Sequence, residues 1–334
     1  ENASDDAKDE GSFTEMSADD MTGPSALTNM KLDNTVWTAG GETSWEFDGI
    51  FEDDETFGTY TGTGYLPQLT VFSGNDHQTL SMTKTDLIQQ VDDEDGKTYY
   101  LIYTAEQRET FRHKVNGGEA NANGNLMAPI DLDPEYTFAE DGTYIYSDEG
   151  EEPEILSWNP IGYYEGSREN LAYTGIFNGN GYTVSGIYIN AADDTNQGLF
   201  GYLGTDGIVQ GLTVSNSYVL ADSYVSSIVA RNEGTIQNCE NNGYVYGYYA
   251  GGIAGQNAGD IIECVNTAFI DGTGYNGGIA GYNNSGEISS CYNTGDINGT
   301  TTVGGITGSN TSSASITNCY NTGDINSDTS YAGG

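Results

Sequence analysis

Positive charge is what this chain has least of: 9 Lys and Arg stand against 50 Asp and Glu in 334 residues, a net charge of −41. Beyond Arg168 the sequence holds a single further cation, Arg231. That scarcity argues against nucleic acid as a partner, since phosphate binding needs clustered Lys and Arg. An anionic membrane surface is disfavoured on the same ground. Long apolar runs are missing too. No segment has the roughly 18 apolar residues of a spanning helix and no signal peptide is recognisable, so no membrane insertion is expected within the chain. Histidine is limited to His77 and His113, and the 4 cysteines form no CxxC pair. Ligands for a zinc site are too few and wrongly spaced.

What is present is a repeat. Ile228, Asn232, Cys239 and Asn241 recur as Ile253, Asn257, Cys264 and Asn266, then as Ile279, Asn283, Cys291 and Asn293, and again as Ile306, Asn310, Cys319 and Asn321. Successive Ile lie 25, 26 and 27 residues apart, the length of a solenoid coil. Gly pairs precede them at Gly251-Gly252, Gly277-Gly278 and Gly304-Gly305, and another closes the sequence at Gly333-Gly334. With Glu1 in place of an initiator Met, this reads as an excerpt of a longer polypeptide. The expected fold is all-β: a right-handed parallel β-helix, or β-solenoid, with one N-terminal capping helix and a small β segment before it.

Stacked coils put each repeat position in a column with rungs roughly 4.8 Å apart. Cys239, Cys264, Cys291 and Cys319 then form a structural column of small, buried, free thiols, because parallel side chains on adjacent rungs give poor disulfide geometry. Asn241, Asn266, Asn293 and Asn321 form a second structural column, and Asn232, Asn257, Asn283 and Asn310 a third. Each amide can donate to one neighbouring rung and accept from the other.

Upstream, residues 1–28 are acidic and polar and read as a solvated linker. Residues 29–75, with Val36-Trp37, Trp45, Phe47 and Tyr65 between Gly-rich breaks, read as short strands. Residues 76–103 read as a hairpin connector turned at Asp95-Gly96. Residues 104–118 read as the capping helix: Thr104 to Gln107 has the form of a capping box, Phe111 and Val115 share a face, and Gly117-Gly118 supplies the stop. Such a helix could cover the apolar end of the first coil. The solenoid then occupies 119–334, with Ile279, Ile288, Cys291, Ile297 and Val303 as the inward residues of one representative coil.

These motifs carry a resemblance. Gly252-Ile253-Ala254-Gly255, Gly278-Ile279-Ala280-Gly281 and Gly305-Ile306-Thr307-Gly308, each followed by Asn and Cys-x-Asn, resemble the GLUG repeat of large bacterial secreted and cell-surface proteins, and Gly198-Leu199-Phe200-Gly201 resembles its first member. The likeness covers 99–334, and 29–75 looks like the tail of a preceding unit. It implies a parallel β-helix and roles in adhesion or in large extracellular proteases, with no catalytic residue in the repeat.

Candidate chemistry is sparse. Asp296 and Asp324 stack in Thr-Gly-Asp-Ile-Asn sequences and could share a Ca2+ ion, although solvated turn aspartates are the plainer reading. No other cofactor is expected. With only Arg231 as a basic partner in the repeat region, no active site is expected either. Tyr275, Tyr282, Tyr292 and Tyr320 are the candidate ligand-binding residues, as an outward tyrosine face suited to a glycan or a protein. Cross-rung packing is the alternative. The expected function is a rigid structural or adhesive segment of an extracellular or cell-surface protein, whose partners are a glycan, a protein or the chain itself. The alternatives are a self-assembling fibre subunit and a binding module of an extracellular protease or glycan-active enzyme.

Overall fold

The structure, a computed structural model, describes residues 96–132, 158–163, 171–328 and 331–333. It also gives the backbone of short strands at 38–39, 42–43, 45–46, 68–69, 90–92, 136–138 and 144–146. The chain divides into two units, Glu1–Gln89 and Gln90–Gly334. In the first, Thr38–Ala39 pairs antiparallel with Glu42–Thr43, and Trp45–Glu46 with Gln68–Leu69. The acidic segment expected at 1–28 lies outside the described residues.

The second unit is a parallel β-solenoid of about 7 turns. Its coils form three sheets, here called faces, beside a separate antiparallel pair, Tyr136–Phe138 with Tyr144–Tyr146. The first face has 9 strands, running from Gln90–Asp92 through Thr98–Ile102 and Asn123–Leu126 to Ser315–Thr317. The second has 13 strands, beginning at Ile130–Asp131 and including the long strands Thr213–Val225 and Glu240–Gly251. The third has 5, from Phe200–Leu203 to Thr307–Asn310. Pairing between coils is parallel, and only Gln90–Asp92 joins the first face antiparallel, across Gly96 at φ +75°. The hairpin within 76–103 is therefore continuous with the first face of the solenoid.

Local sequence explains the three-sided section. From Ile176–Asn178 onward, first-face strands are three residues long, and their middle residues Phe177, Val209, Ile236, Ile261 and Ile288 stand in register and are completely buried. At the following corner the chain takes a left-handed residue, Gly211, Asn238, Glu263, Ser290 or Asn318. Gly and Asn suit that conformation best. The turn swings the next residue inward, and those residues are Leu212 and the four cysteines.

The helix Ala105–Asn116, the one helix among the described residues, links two parallel strands of the first face, Thr98–Ile102 and Asn123–Leu126. Thr104 caps it, accepting from the Gln107 amide at 3.3 Å, while the Gln107 side chain accepts from the Tyr103 amide at 2.8 Å. Phe111 and Val115 are fully buried. Gly124 occupies the column position beneath Phe177, where a Cβ would lie 3.0 Å from Phe111 Cζ. The missing side chain is a socket, and the helix fills it with Phe111, which meets Phe177 at 5.7 Å and Tyr173 at 6.1 Å between ring centroids. Arg108, also buried, lies 3.5 Å over the Trp158 ring. The ladder continues past this level to Gln90–Asp92, so the helix lies beside the first strands and fills the core there.

One inward position is at odds with its column. Asn276 pairs with Ala250 on one side and Val303 on the other, is completely buried, and leaves its Oδ1 without a hydrogen-bond partner. A buried unmet acceptor costs about 1–3 kcal/mol. Asn276→Val removes it and matches the column, but it also deletes the 3.3 Å bond from Asn276 Nδ2 to the part-buried Asn298 carbonyl, so urea unfolding of this variant should show a net gain below about 1 kcal/mol.

Candidate functional site

The polar columns face inward. Asn232 Nδ2 donates to Asn257 Oδ1 at 2.7 Å, Asn257 to Asn283 at 2.9 Å and Asn283 to Asn310 at 2.7 Å. In the second column Asn241 donates to Asn266 at 2.8 Å, Asn266 to Asn293 at 2.6 Å and Asn293 to Asn321 at 2.7 Å. All six bonds run in one direction, each amide donating to the coil that follows it in sequence. The other N–H of the second column ties down its own corner, reaching the carbonyls of Gly243, Ala268, Gly295 and Gly323. The ladders begin where apolar side chains stop: Leu203 precedes Asn232, and Val214 precedes Asn241.

The cysteines are free, with Cys239, Cys264 and Cys291 buried and Cys319 partly so. The amide of each donates to the sulfur of the next, at 3.5, 3.4 and 3.4 Å. Burial pushes the Cys264 thiol well above its ordinary pKa, which works against the reactive thiolate.

Aromatic side chains occupy the outward positions, and the structure sorts them into three ladders. Tyr188, Tyr218 and Tyr244 stack at 5.5 and 5.3 Å and end on Phe269 at 6.0 Å. Tyr224, Tyr249 and Tyr275 stack at 4.8 and 5.4 Å with planes 7° and 6° apart. Tyr248 packs edgewise on Tyr249 and Tyr275, and Tyr282 lies 5.6 and 6.4 Å from the same two rings. Tyr292 and Tyr320 form the third ladder, 5.0 Å apart and 3° from parallel. Tyr275 and Tyr282 are thus brought together, and Tyr292 and Tyr320 are brought together, as two separate groups. Burial first and the neighbouring phenols second raise the pKa of Tyr249.

Stacking has a chemical consequence. A ring between two others presents its edge and hydroxyl to solvent and keeps its faces for its neighbours. Sugar stacking needs an exposed face, so the most accessible rings within these stacked groups matter most: Tyr248 at 41% exposure and Tyr320 at 54%. Tyr188, Tyr218 and Tyr224 had escaped the sequence reading.

The remaining candidates are held by local contacts. Asp296 and Asp324 lie on consecutive rungs, and the Asp296 carboxylate accepts the Asp324 backbone N–H at 2.8 Å. Asp271 sits on a neighbouring column, its pKa raised by burial, with the Gly272 amide lowering it and Asp328 raising it further. Among the described residues no group of three or more His, Cys, Asp or Glu is placed to hold a metal ion. Arg231 lies over the Tyr202 ring at 5.2 Å and pairs with Glu233 at 3.1 Å.

Residues 299–326, which span Asn310, Cys319 and Asn321, match the family model of the GLUG motif. The chain carries the GLUG motif. The chain is similar to part of Halomucin from Haloquadratum walsbyi, 36% identical over 107 residues, or 31% of this chain and 1% of that protein. It is also similar to the "Putative Gly-rich membrane protein" of Evansella cellulosilytica, 30% identical over 143 residues, or 42% of this chain and 14% of that protein. The chain therefore spans only a small part of the length of these curated relatives. A solved structure from Bacteroides ovatus, described as a "putative immunoglobulin A1 protease", aligns over 71% of this chain and 79% of its own at 19% identity and a TM-score of 0.46. No helix among the described residues is long and apolar enough to cross a membrane.

Proposed function

We propose that this chain is a rigid, non-enzymatic GLUG solenoid within a large extracellular or cell-surface protein, serving as a structural stalk with an adhesive outer face. The observation that carries this reading is the fate of the repeat's polar residues. Asn, the polar side chain that recurs in phase from coil to coil, is engaged in inter-coil ladders, and Cys is turned inward as a thiol. Chemistry with the outside is left to the tyrosine ladders. The relatives support the setting, one being named a mucin and the other a membrane protein.

The test is antibody labelling of intact producing cells with serum raised against the purified chain, followed by glycan and matrix-protein arrays. Intact cells should label, and at least one array ligand should bind and be weakened in a Tyr248→Ala, Tyr320→Ala double variant. Labelling confined to lysed cells would overturn the location. Blank arrays would remove the adhesive role and leave the stalk.

A further inference from the structure

Parallel stacking sets tyrosines of neighbouring coils ring over ring, and Tyr292 with Tyr320 is the most regular such pair, 5.0 Å between centroids and 3° between planes. Their backbones are fixed in register, Tyr292 on Tyr320 and Asn293 on Asn321, and the hydrogen bond from Asn293 Nδ2 to Asn321 Oδ1 locks the rung beside them. Tyr292 is only partly buried although it has a coil on either side, so the edges of the stacked rings face outward and a small oxidant can reach the pair. We propose that Tyr292 and Tyr320 form an oxidative cross-linking site, where a haem peroxidase acting with hydrogen peroxide joins the two rings as dityrosine and staples consecutive coils.

The chemistry balances with those reactants alone. Each phenol loses one electron and its O–H proton, giving a phenoxyl radical whose unpaired density reaches the ring carbons beside the hydroxyl. A C–C bond forms between a Cε of Tyr292 and a Cε of Tyr320. The hydrogen left on each of those carbons moves to the oxygen of its own ring and restores both phenols. Peroxide takes up the two electrons and two protons, so two tyrosines and one hydrogen peroxide yield one dityrosine and two waters.

Two features of the molecule direct coupling within one chain. A pair already stacked reacts as an intramolecular system of high effective concentration. Separate chains meanwhile repel one another, because each carries a net charge of −41, an effect strongest at low salt. The other ladders share the stacking, but Tyr249 at the centre of the second is drawn further into the protein, where burial raises its pKa.

The experiment treats the whole chain at low ionic strength with a haem peroxidase and limiting peroxide, then follows dityrosine fluorescence, denaturing electrophoresis and peptide mass spectrometry. The expected main product is a monomer lighter by two hydrogens in which the Tyr292 and Tyr320 peptides are joined. Tyr292→Phe and Tyr320→Phe keep the ring stack, and unchanged circular dichroism would verify that each folds; each should abolish that joined peptide. Cross-links only between separate chains would overturn the proposal, as would fluorescent monomer without the 292–320 link, or no dityrosine at all.

Discussion

Replacing Asn266 with alanine is expected to destabilise the solenoid by about 3–5 kcal/mol, because it breaks a buried hydrogen-bond chain in the middle. Asn266 accepts from Asn241 at 2.8 Å and donates to Asn293 at 2.6 Å and to the Ala268 carbonyl at 2.9 Å. Alanine leaves the Asn293 oxygen without that donor and the Ala268 carbonyl without its bond, in a site sealed from water. Each such loss costs about 1–3 kcal/mol. Asn321→Ala, at the last described rung and only part-buried, should cost about 1 kcal/mol by the same rule. Asn266→Leu separates bonding from volume, since Val214 and Leu203 occupy the same two columns in earlier coils. If the ladder matters as a hydrogen-bond chain, leucine will not restore stability; restoration would show that the column needs only bulk. Urea midpoints by circular dichroism, with hydrogen exchange across 253–304, report both quantities.

A larger effect is expected from a smaller change. Gly251, Gly277, Gly304 and Gly333 share one column on the second face. A Cβ at Gly277 would lie 2.2 Å from the Ala280 carbonyl oxygen, 2.6 Å from Thr307 Cα and 2.7 Å from the Gly308 nitrogen, all backbone atoms. No rotamer relieves that contact, so two coils must separate. Gly277→Ala should cost more than about 4 kcal/mol or prevent folding, beyond the usual range for a single substitution. At Gly333 nothing lies within 4 Å, and Gly333→Ala should leave the unfolding midpoint within error of the parent. Equal effects at the two positions would mean that the glycine is required for backbone freedom and not for close approach.

These predictions rest on columns that are unusually legible in the sequence. Asn is mostly an exposed residue in proteins and the chain has only 4 Cys, so their joint recurrence at 25 to 28 residues stands out against the background, and it fixes both the coil length and the parallel stack. The ladder of Tyr188, Tyr218 and Tyr244 was hidden for a physical reason. The second face carries register irregularities between Ala191 and Thr195, between Ser215 and Tyr218, and between Leu220 and Val225. Each irregularity moves a residue out of phase with the simple repeat, although the rings still stack in space. The helix was legible from its cap and its Phe111–Val115 face, yet nothing local revealed that Gly124 is the socket for Phe111, because the two meet only when the strands on either side of the helix pair. The union of the 90–102 hairpin with the first face was hidden in the same way.

The one-way run of the asparagine ladders bears on how the protein is made. Every rung offers its amide hydrogen toward the coil that comes later in sequence. A chain emerging N-terminus first therefore meets, at each step, a finished coil whose donors await the incoming carbonyl oxygen. Folding can advance one coil at a time, with each new coil templated by its nearest neighbour. The Phe111 socket gives that process a packed starting point at the end synthesised first. A solenoid assembled this way needs no distant partner to complete each layer, and it can grow by added repeats without redesign of the coils already in place.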